Sequence, residues 1–262
     1  MSRKIMFFDI DGTILTQDTQ EVPKSTAAAI QEARSKGHLA FINTGRTYFN
    51  VEKEIREIGF DGYVCGCGTY VNAEGNVITH VTLDTAECKR IIELLRKHKT
   101  DAVLEGLEDV YFDSYIHTEE MMQLKGRFNE KGYGIEKNWD SQGLVFDKLF
   151  AKASDETNID GFVHDLGDKY DYIDRGSRFG EIMPTGYSKA TGIKSLLEYY
   201  KIDMKDAYVF GDSSNDLAMF DLVPNSVAMG QSDACIYDKA AFITKDIHED
   251  GIYHAMKHFE II

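Results

Sequence analysis

Three short, continuous apolar runs, each ended by small or polar residues, constrain the fold of this chain more than any other feature. Runs of this form are typical of strands buried on both faces of a parallel sheet. Segments with apolar residues at helical spacing separate the runs, and this alternation predicts a doubly wound α/β sheet. The runs cover residues 5–8, 39–42 and 207–210, shorter strands are expected at 227–230 and 242–244, and the predicted helices cover 25–36, 51–58 and 190–200.

The middle of the chain breaks this alternation. Residues 81–183 mix a helix at 87–97 with strands at 110–112, 146–151 and 170–173, and two of these, 110–112 and 170–173, look exposed on one face. We therefore predict an inserted α+β domain within an α/β core formed by residues 1–80 and 184–262. The aromatic residues expected in the core of the insert are Tyr111, Phe112, Phe128 and Trp139.

Composition excludes several classes of partner. The chain has 262 residues and carries 44 acidic against 29 basic residues, a net charge of −15, so nucleic-acid phosphates and anionic lipids should repel it. No apolar run approaches the roughly 18 residues of a membrane span. The first strand begins at Ile5, which leaves no room for a signal peptide.

The four cysteines are few and irregularly spaced, so we expect reduced thiols and a cytoplasmic protein. The pair in Cys65-Gly66-Cys67 has no second Cys or His pair at zinc-finger spacing, and we expect no zinc site there.

The strongest chemical signal is the segment Asp9–Thr13 at the end of the first strand. Residues two apart on a strand share a face, so the carboxylates of Asp9 and Asp11 are expected to converge at the carboxyl edge of the sheet. Unpaired buried carboxylates are too costly to be ordinary core residues. Gly12 then allows the chain a sharp exit from the strand.

Two further polar clusters follow predicted strands, and a lysine begins a predicted helix. Carboxylates brought together repel one another unless a cation lies among them, and hard oxygen ligands suit Mg²⁺. A lysine and a threonine beside such a metal suit a phosphoryl group. The clusters are Thr44-Gly45-Arg46 and Gly211–Asp216, and the lysine is Lys189.

Each of these residues also has a simpler interpretation. Asp212 and Asp216 can serve Asx turns and helix caps, and Thr44 and Asn215 can be ordinary turn residues. Lys189 can be a solvated helix lysine. Arg46 either contacts substrate or pairs with a nearby acid, and the sequence leaves both open.

These motifs resemble those of the haloacid dehalogenase-like (HAD) phosphatases. Asp9–Thr13 resembles the first family motif, Thr44 the second, Lys189 the third and Gly211–Asp216 the fourth, in the same order. The insert lies between the second and third motifs, as in members with a type-two cap. The Thr44-Gly45-Arg46 and Gly-Asp-x-x-Asn-Asp forms look most like the Cof-type branch.

The resemblance implies a reaction through an aspartyl-phosphate. Asp9 would be the nucleophile, and Asp11 would protonate the leaving alcohol and later deprotonate water. Mg²⁺ would bind the Asp9 carboxylate, the Asp11 carbonyl and Asp212, with Asp216 supporting the metal site or orienting Lys189. The groups expected to hold the phosphoryl oxygens are Thr44, the Gly45 N–H, Lys189 and Asn215.

The substrate is less well defined. Cof-type members usually carry an Asn-Gly pair at the substrate entrance, and this chain has Cys67-Gly68 there. Arg175, Arg178 and Glu181 could contact substrate, although a solvated charged face is the simpler interpretation.

We therefore expect a Mg²⁺-dependent phosphomonoester hydrolase acting on a small phosphorylated metabolite, for example a sugar phosphate. The alternatives are a phosphomutase or phosphotransferase using the same aspartyl-phosphate, or a non-catalytic protein that binds a phosphate ligand. A dehalogenase is less favoured, because it needs no acid at position 11.

Overall fold

The first apolar run forms a central strand of the larger sheet. β1 (Ile5–Phe8) pairs in parallel with β2 (Leu39–Asn43) on one side and with β11 (Ala207–Gly211) on the other. Every residue of these three strands is buried, which confirms the expectation of a sheet covered on both faces.

The computed structural model describes residues 2–262, which divide into two units. One unit comprises the residues up to His80 together with Tyr187–Ile262, and the other comprises Val81–Gly186. The remaining strands of the first unit are β3 (Gly62–Cys65), β4 (Tyr70–Ala73), β5 (Asn76–His80), β12 (Asn225–Ala228) and β13 (Phe242–Ile243), and its helices are α1 (Lys24–Ser35), α2 (Lys53–Glu57), α6 (Lys189–Tyr200), α7 (Leu217–Leu222), α8 (Ala234–Tyr237) and α9 (Gly251–His258).

The first unit is built on an eight-stranded sheet in the order β13-β12-β11-β1-β2-β3-β4-β5. The pairs from β13 to β3 are parallel, as predicted for a doubly wound sheet. Strands β4 and β5 add an antiparallel hairpin at one edge, which the apolar runs do not predict. Helix α6 buries Ile193 and Leu196 against Phe7 and its neighbours on the sheet.

The second unit is the predicted α+β insert. Its strands are β6 (Thr100–Glu105), β7 (Val110–Phe112), β8 (Lys148–Ala153), β9 (Tyr170–Gly176) and β10 (Phe179–Pro184), and its helices are α3 (Thr85–Lys97), α4 (Glu119–Glu130) and α5 (Ile159–Leu166). The strands form an antiparallel sheet in the order β7-β6-β8-β10-β9. Helices α3 and α5 pack on one face, where Trp139 joins the core.

One expectation about the insert is wrong: β7 is buried along its whole length instead of being exposed on one face. Tyr111 faces the core that contains α3 and α5, while the ring of Phe112 contacts Phe128 of α4, with 6.1 Å between ring centroids. The strand β9 has the partly exposed pattern that was predicted. Helix α4 therefore protects β7 from solvent, which the short run Val110–Phe112 alone does not indicate.

Within residues 2–262, the helices are too short or too polar to cross a lipid bilayer.

Candidate active site

The ends of β1 and β11 bring the first and fourth sequence clusters together. Asp9 follows β1 directly, and its backbone N–H donates to the carbonyl of Phe210 on β11, at 3.0 Å. Asp212 follows β11 in the same way. Because parallel neighbours end at the same edge of a sheet, the two carboxylates meet there.

A third carboxylate completes this group. One oxygen each from Asp9, Asp212 and Asp216 lie within 4.8 Å of one another. All three residues are at most 4% exposed. Three buried carboxylates this close repel each other strongly, so the arrangement requires positive charge within it.

Lys189 supplies part of that charge. It is the first residue of α6, whose start is fixed by a capping box between Ser188 and Thr191. Its ammonium, completely buried, donates to Asp9 Oδ1 at 2.7 Å and to Asp216 Oδ1 at 2.6 Å. Burial lowers the pKa of Lys189, but the charges of Asp216 and Asp9 outweigh it, so the pKa lies above its ordinary value and the group stays protonated.

One ammonium does not neutralise three carboxylates. Burial raises the pKa of Asp9, and the nearby charge of Asp216 adds to the effect of burial, although Lys189 opposes both. Burial, followed by the charges of Asp9 and Asp216, raises the pKa of Asp212 to about 8. A divalent cation would relieve this repulsion and restore the ionised forms.

The geometry of the acceptors fits such an ion. Both carboxylate oxygens of Asp216 accept hydrogen bonds. Oδ1 accepts from Lys189, and Oδ2 accepts from the backbone N–H groups of Asp212 and Ser213 at 2.9 and 3.2 Å. Asp9 uses Oδ1 for Lys189, and Asp212 uses Oδ1 for the Thr13 hydroxyl at 3.1 Å. Among the described residues, the Oδ2 atoms of Asp9 and Asp212 have no hydrogen-bond donor, and hard carboxylate oxygens are what Mg²⁺ prefers.

Gly12 makes room for this arrangement. Its φ is +78°, and a Cβ at this position would lie 2.3 Å from Asp212 Oδ2. Any side chain here would displace an oxygen offered to the ion.

We expect Gly12→Ala to lower catalytic efficiency by about 10²-fold, because displacements of about 1 Å at a reacting centre have effects of that size. The measurement is kcat/KM for phosphate release. Gly75→Ala is the matched control, since Gly75 also has a positive φ (+82°) but no atom near its Cβ. Equal activity of the two variants would contradict the assigned role of Gly12.

The raised pKa of Asp212 predicts a pH dependence of stability. Its pKa rises from an ordinary 3.8 to about 8, so the folded state binds this proton more tightly than the unfolded state. The contribution of Asp212 to stability is therefore most favourable below about pH 4, and it is lost as the pH rises from about 4 towards about 8. Since Mg²⁺ binds the ionised carboxylate, we expect its stabilising effect on Tm to be larger at pH 8 than at pH 5.5.

The control for this pH effect is Asp212→Asn, in which the Mg²⁺-induced Tm shift should be small at both pH values. A parent protein whose Tm responds equally to Mg²⁺ at pH 5.5 and pH 8 would contradict it.

Asp11 is not one of the three clustered carboxylates, although its charge is among the influences that raise the pKa of Asp9. Strand β1 ends at Phe8, so the alternation of side chains does not extend to residue 11. The Asp11 side chain is 51% exposed and is bound by the guanidinium of Arg46, with 2.9 Å between Oδ2 and Nε. Of the two possibilities for Arg46, the structure therefore shows the pairing with an acid.

The predicted phosphate-binding residues surround the same sheet edge. Thr44 is buried after β2, and its Oγ1 accepts the backbone N–H of Arg46, at 3.2 Å, across Gly45. This contact is the turn role considered for Thr44, and the hydroxyl hydrogen is still available to donate. Asn215 accepts hydrogen bonds on Oδ1 from Lys189 at 3.3 Å and from the Ser213 hydroxyl at 3.0 Å.

The candidate residues of the second unit separate into two groups. Arg178 is exposed and pairs with Asp155, as a solvated charged face requires. The same expectation is wrong for Glu181, which is buried and binds Lys148 and Arg175. Burial raises the pKa of Glu181, but the charges of Lys148 and Arg175 prevail and bring it to about 2. Lys148 was not singled out in the sequence, because nothing in the run at 146–151 indicates a charged partner on β10.

The cysteine at the family's Asn-Gly position adopts the conformation that asparagine favours. Cys67 has a φ of 52°, in the left-handed region, and is buried. Gly68 follows with a φ of +92°, and a Cβ there would meet the Ser188 carbonyl at 2.4 Å. None of the four cysteines forms a disulfide within the described part of the chain.

Comparison with known proteins agrees with this geometry. Residues 6–256 match the family model of haloacid dehalogenase-like hydrolases. The chain is 30% identical to a Bacillus subtilis protein provisionally named phosphatase YkrA, with both chains covered completely. It is 25% identical to the B. subtilis 5-amino-6-(5-phospho-D-ribitylamino)uracil phosphatase YitU, with 97% of each chain covered.

A solved structure has the same architecture. The HAD subclass IIB sugar phosphatase BT4131 superposes with a TM-score of 0.82 at 25% identity, over 99% of this chain and all of that one. The match over nearly the whole length, together with the carboxylate group and Lys189, establishes that this chain is a phosphatase belonging to the haloacid dehalogenase-like hydrolase family, in its Cof-type branch.

Proposed function

We propose that this phosphatase hydrolyses the phosphomonoester of a small metabolite, with Mg²⁺ as cofactor and Asp9 as nucleophile. The observation that carries the proposal is the buried group of Asp9, Asp212 and Asp216 around the ammonium of Lys189. Such a concentration of charge destabilises the fold, so a functional role explains it better than a structural one.

In the first step, one carboxylate oxygen of Asp9 attacks phosphorus in line with the ester bond. A bond forms between this oxygen and phosphorus as the bond to the leaving oxygen breaks, and Asp11 gives that oxygen a proton. In the second step, water attacks the aspartyl-phosphate, Asp11 takes a proton from the water, and inorganic phosphate leaves. Asp9 is regenerated, and the sum is ester plus water giving alcohol plus phosphate.

Lys189 serves both steps by donating to Asp9 Oδ1, which fixes the orientation of the Asp9 carboxylate. We assign the phosphoryl oxygens to the Thr44 hydroxyl, the Gly45 N–H, Lys189 and the Asn215 amide. The charge that builds up on these oxygens is then met by donors that are already in place, since the turn at Thr44 and the capping box of α6 fix them.

The residues that would hold Mg²⁺ are Asp9, Asp212 and the backbone carbonyl of Asp11. Asp216 would act on this site indirectly, because its oxygens are taken by Lys189 and by the backbone after β11. When bound, the ion supplies positive charge that offsets the repulsion between carboxylates and phosphate.

For the substrate we propose a phosphorylated sugar or sugar alcohol. Two relatives support this class: BT4131 is named a sugar phosphatase, and YitU acts on a phosphorylated ribityl compound. This chain has Cys67 where the family usually has an Asn at the substrate entrance. We therefore do not require its substrate to be the same as that of either relative.

The test is a screen of phosphorylated metabolites for release of inorganic phosphate, comparing kcat/KM values, with Mg²⁺ and with EDTA. We expect turnover that EDTA abolishes and Mg²⁺ restores. Detection of an isomeric phosphate without inorganic phosphate would favour a phosphomutase instead. Binding of phosphate esters without any turnover would favour a non-catalytic binding protein.

A further inference from the structure

Asp11 is half exposed, yet both of its carboxylate oxygens are bound by one guanidinium. Arg46 Nε donates to Oδ2 at 2.9 Å and Nη2 donates to Oδ1. An exposed carboxylate ordinarily samples several rotamers, whereas a two-point contact with a planar guanidinium fixes its direction. The direction of Asp11 therefore depends on how firmly Arg46 is held.

Arg46 is held on its far side by Glu52. The second terminal nitrogen, Nη1, donates to the Glu52 carboxylate and to the Asn50 carbonyl, the latter at 3.3 Å. The backbone of Arg46 is also anchored, since its carbonyl accepts the Gly66 N–H at 2.8 Å. The Arg46 side chain is only 16% exposed, so solvent has little access to replace Glu52 as its partner.

The position of Glu52 in the fold does not account for this contact. Glu52 is the N-cap residue of α2, but its side chain makes no capping hydrogen bond to the helix. A glutamate at this position could extend into solvent, as the neighbouring Glu57 does with 63% exposure. Instead, its carboxylate turns to Arg46.

We propose that Glu52 is a positioning residue for phosphoryl transfer, which through Arg46 keeps the Asp11 carboxylate directed at the leaving oxygen. This inference rests on the proposed function, because it takes Asp11 as the group that exchanges a proton with that oxygen. The link from Glu52 to Asp11 is the Arg46 guanidinium, which contacts both carboxylates.

A positioning role predicts a dependence on the leaving group. Phenyl phosphate releases a basic oxygen that needs a proton, whereas 2,4-dinitrophenyl phosphate releases a stable anion that does not. Proton transfer by a positioned side chain raises the reaction rate by about 10²- to 10⁴-fold. Only phenyl phosphate benefits from this transfer. Because kcat/KM reports the steps up to departure of the leaving group, it isolates this contribution.

We expect Glu52→Ala to lower kcat/KM for phenyl phosphate by about 10-fold or more, which is a part of the rate gain from proton transfer. For 2,4-dinitrophenyl phosphate, kcat/KM should fall by less than about 2-fold, because this ester needs no proton. Glu52→Gln, which keeps an acceptor for Arg46, should lie between the parent and Glu52→Ala. The matched control is Glu57→Ala on the same helix, which removes an exposed carboxylate paired with Lys53 and should leave both values unchanged.

A double-mutant cycle with Asp11→Asn separates positioning from general damage. If Glu52 acts through Asp11, adding Glu52→Ala to Asp11→Asn should produce no further loss with phenyl phosphate. Equal losses on both esters, or the same loss in the Asp11→Asn background, would overturn the inference while an active parent upholds the proposed function. A parent that releases phosphate from neither ester nor from any screened metabolite would instead refute the proposed function.

Discussion

Replacing Asp9 with asparagine is expected to reduce phosphate release by about 10⁴-fold or more, the range seen when a covalent nucleophile is removed. The change is nearly isosteric, and the amide oxygen can still accept from Lys189. What is lost is the anionic oxygen that attacks phosphorus, so no aspartyl-phosphate can form. The measurement is the steady-state rate of phosphate release at saturating substrate and Mg²⁺.

The protein should remain folded in this variant. Asparagine removes one of three repelling carboxylates, and Asp216 still pairs with Lys189 at 2.6 Å. Thermal unfolding and the binding of a phosphate mimic should match those of the parent protein. The lost phosphate release then reflects the chemical step and not misfolding or weak binding. Asp18→Asn provides a matched control, because Asp18 is 64% exposed and contacts His248 at the surface. An Asp9→Asn variant that keeps more than about a tenth of the parent rate would disprove the nucleophile assignment, since such a loss is far below that range.

The placement of Asp9 and Asp212 could be predicted because it follows from strand ends alone. Continuous apolar runs identify buried parallel strands, and parallel strands deliver the residues after them to one edge. Lys189 was predictable for a related reason: Ser188 and Thr191 mark the start of α6, which places the lysine at a helix N-terminus.

The ion pairs between side chains were harder to predict from the sequence. Glu181 and Lys148 are 33 residues apart, and their contact depends on the register between β8 and β10, which the sequence does not encode locally. Asp11 and Arg46 meet because the chain leaves β1 before residue 11, so a rule that holds within a strand no longer applies. Such pairs of charged residues come together only in the tertiary structure, so the local sequence does not indicate them.

The hairpin of β4 and β5, by contrast, had a local signal. Glu74 and Gly75 connect the two strands, and both have positive φ values, 51° and 82°. A residue pair ending in glycine between alternating apolar residues is typical of a two-residue hairpin turn. The segment lacks the continuous apolar form of the other strands, because β5 is a partly exposed edge strand.

Replacing Lys189 with methionine is expected to lower both activity and stability strongly. Removing one partner of a buried ion pair leaves an uncompensated charge and costs about 3–5 kcal/mol of the free energy of unfolding. Here it leaves three carboxylates around an apolar side chain. Catalysis loses the donor that orients Asp9, and removal of one such electrostatic donor lowers kcat by about 10²- to 10³-fold.

The loss of stability should depend on pH and on Mg²⁺. With the ammonium gone, the carboxylates are easier to protonate than to keep ionised together, so the deficit relative to the parent should be smaller at pH 5 than at pH 8. Mg²⁺ should reduce the deficit at pH 8, since it replaces part of the missing charge. Urea unfolding at the two pH values, with Mg²⁺ or EDTA, provides the four comparisons.

A second substitution distinguishes loss of the ion pair from loss of packing. Changing Asp216 to asparagine together with Lys189→Met removes both charges of the 2.6 Å pair, and replacing both partners costs far less than orphaning one. The double variant should therefore recover most of the lost stability but none of the lost activity, because Asp9 still lacks its donor. If stability stays low in the double variant at pH 8, the Lys189 side chain contributes mainly by filling space, and charge compensation is not what holds these carboxylates together.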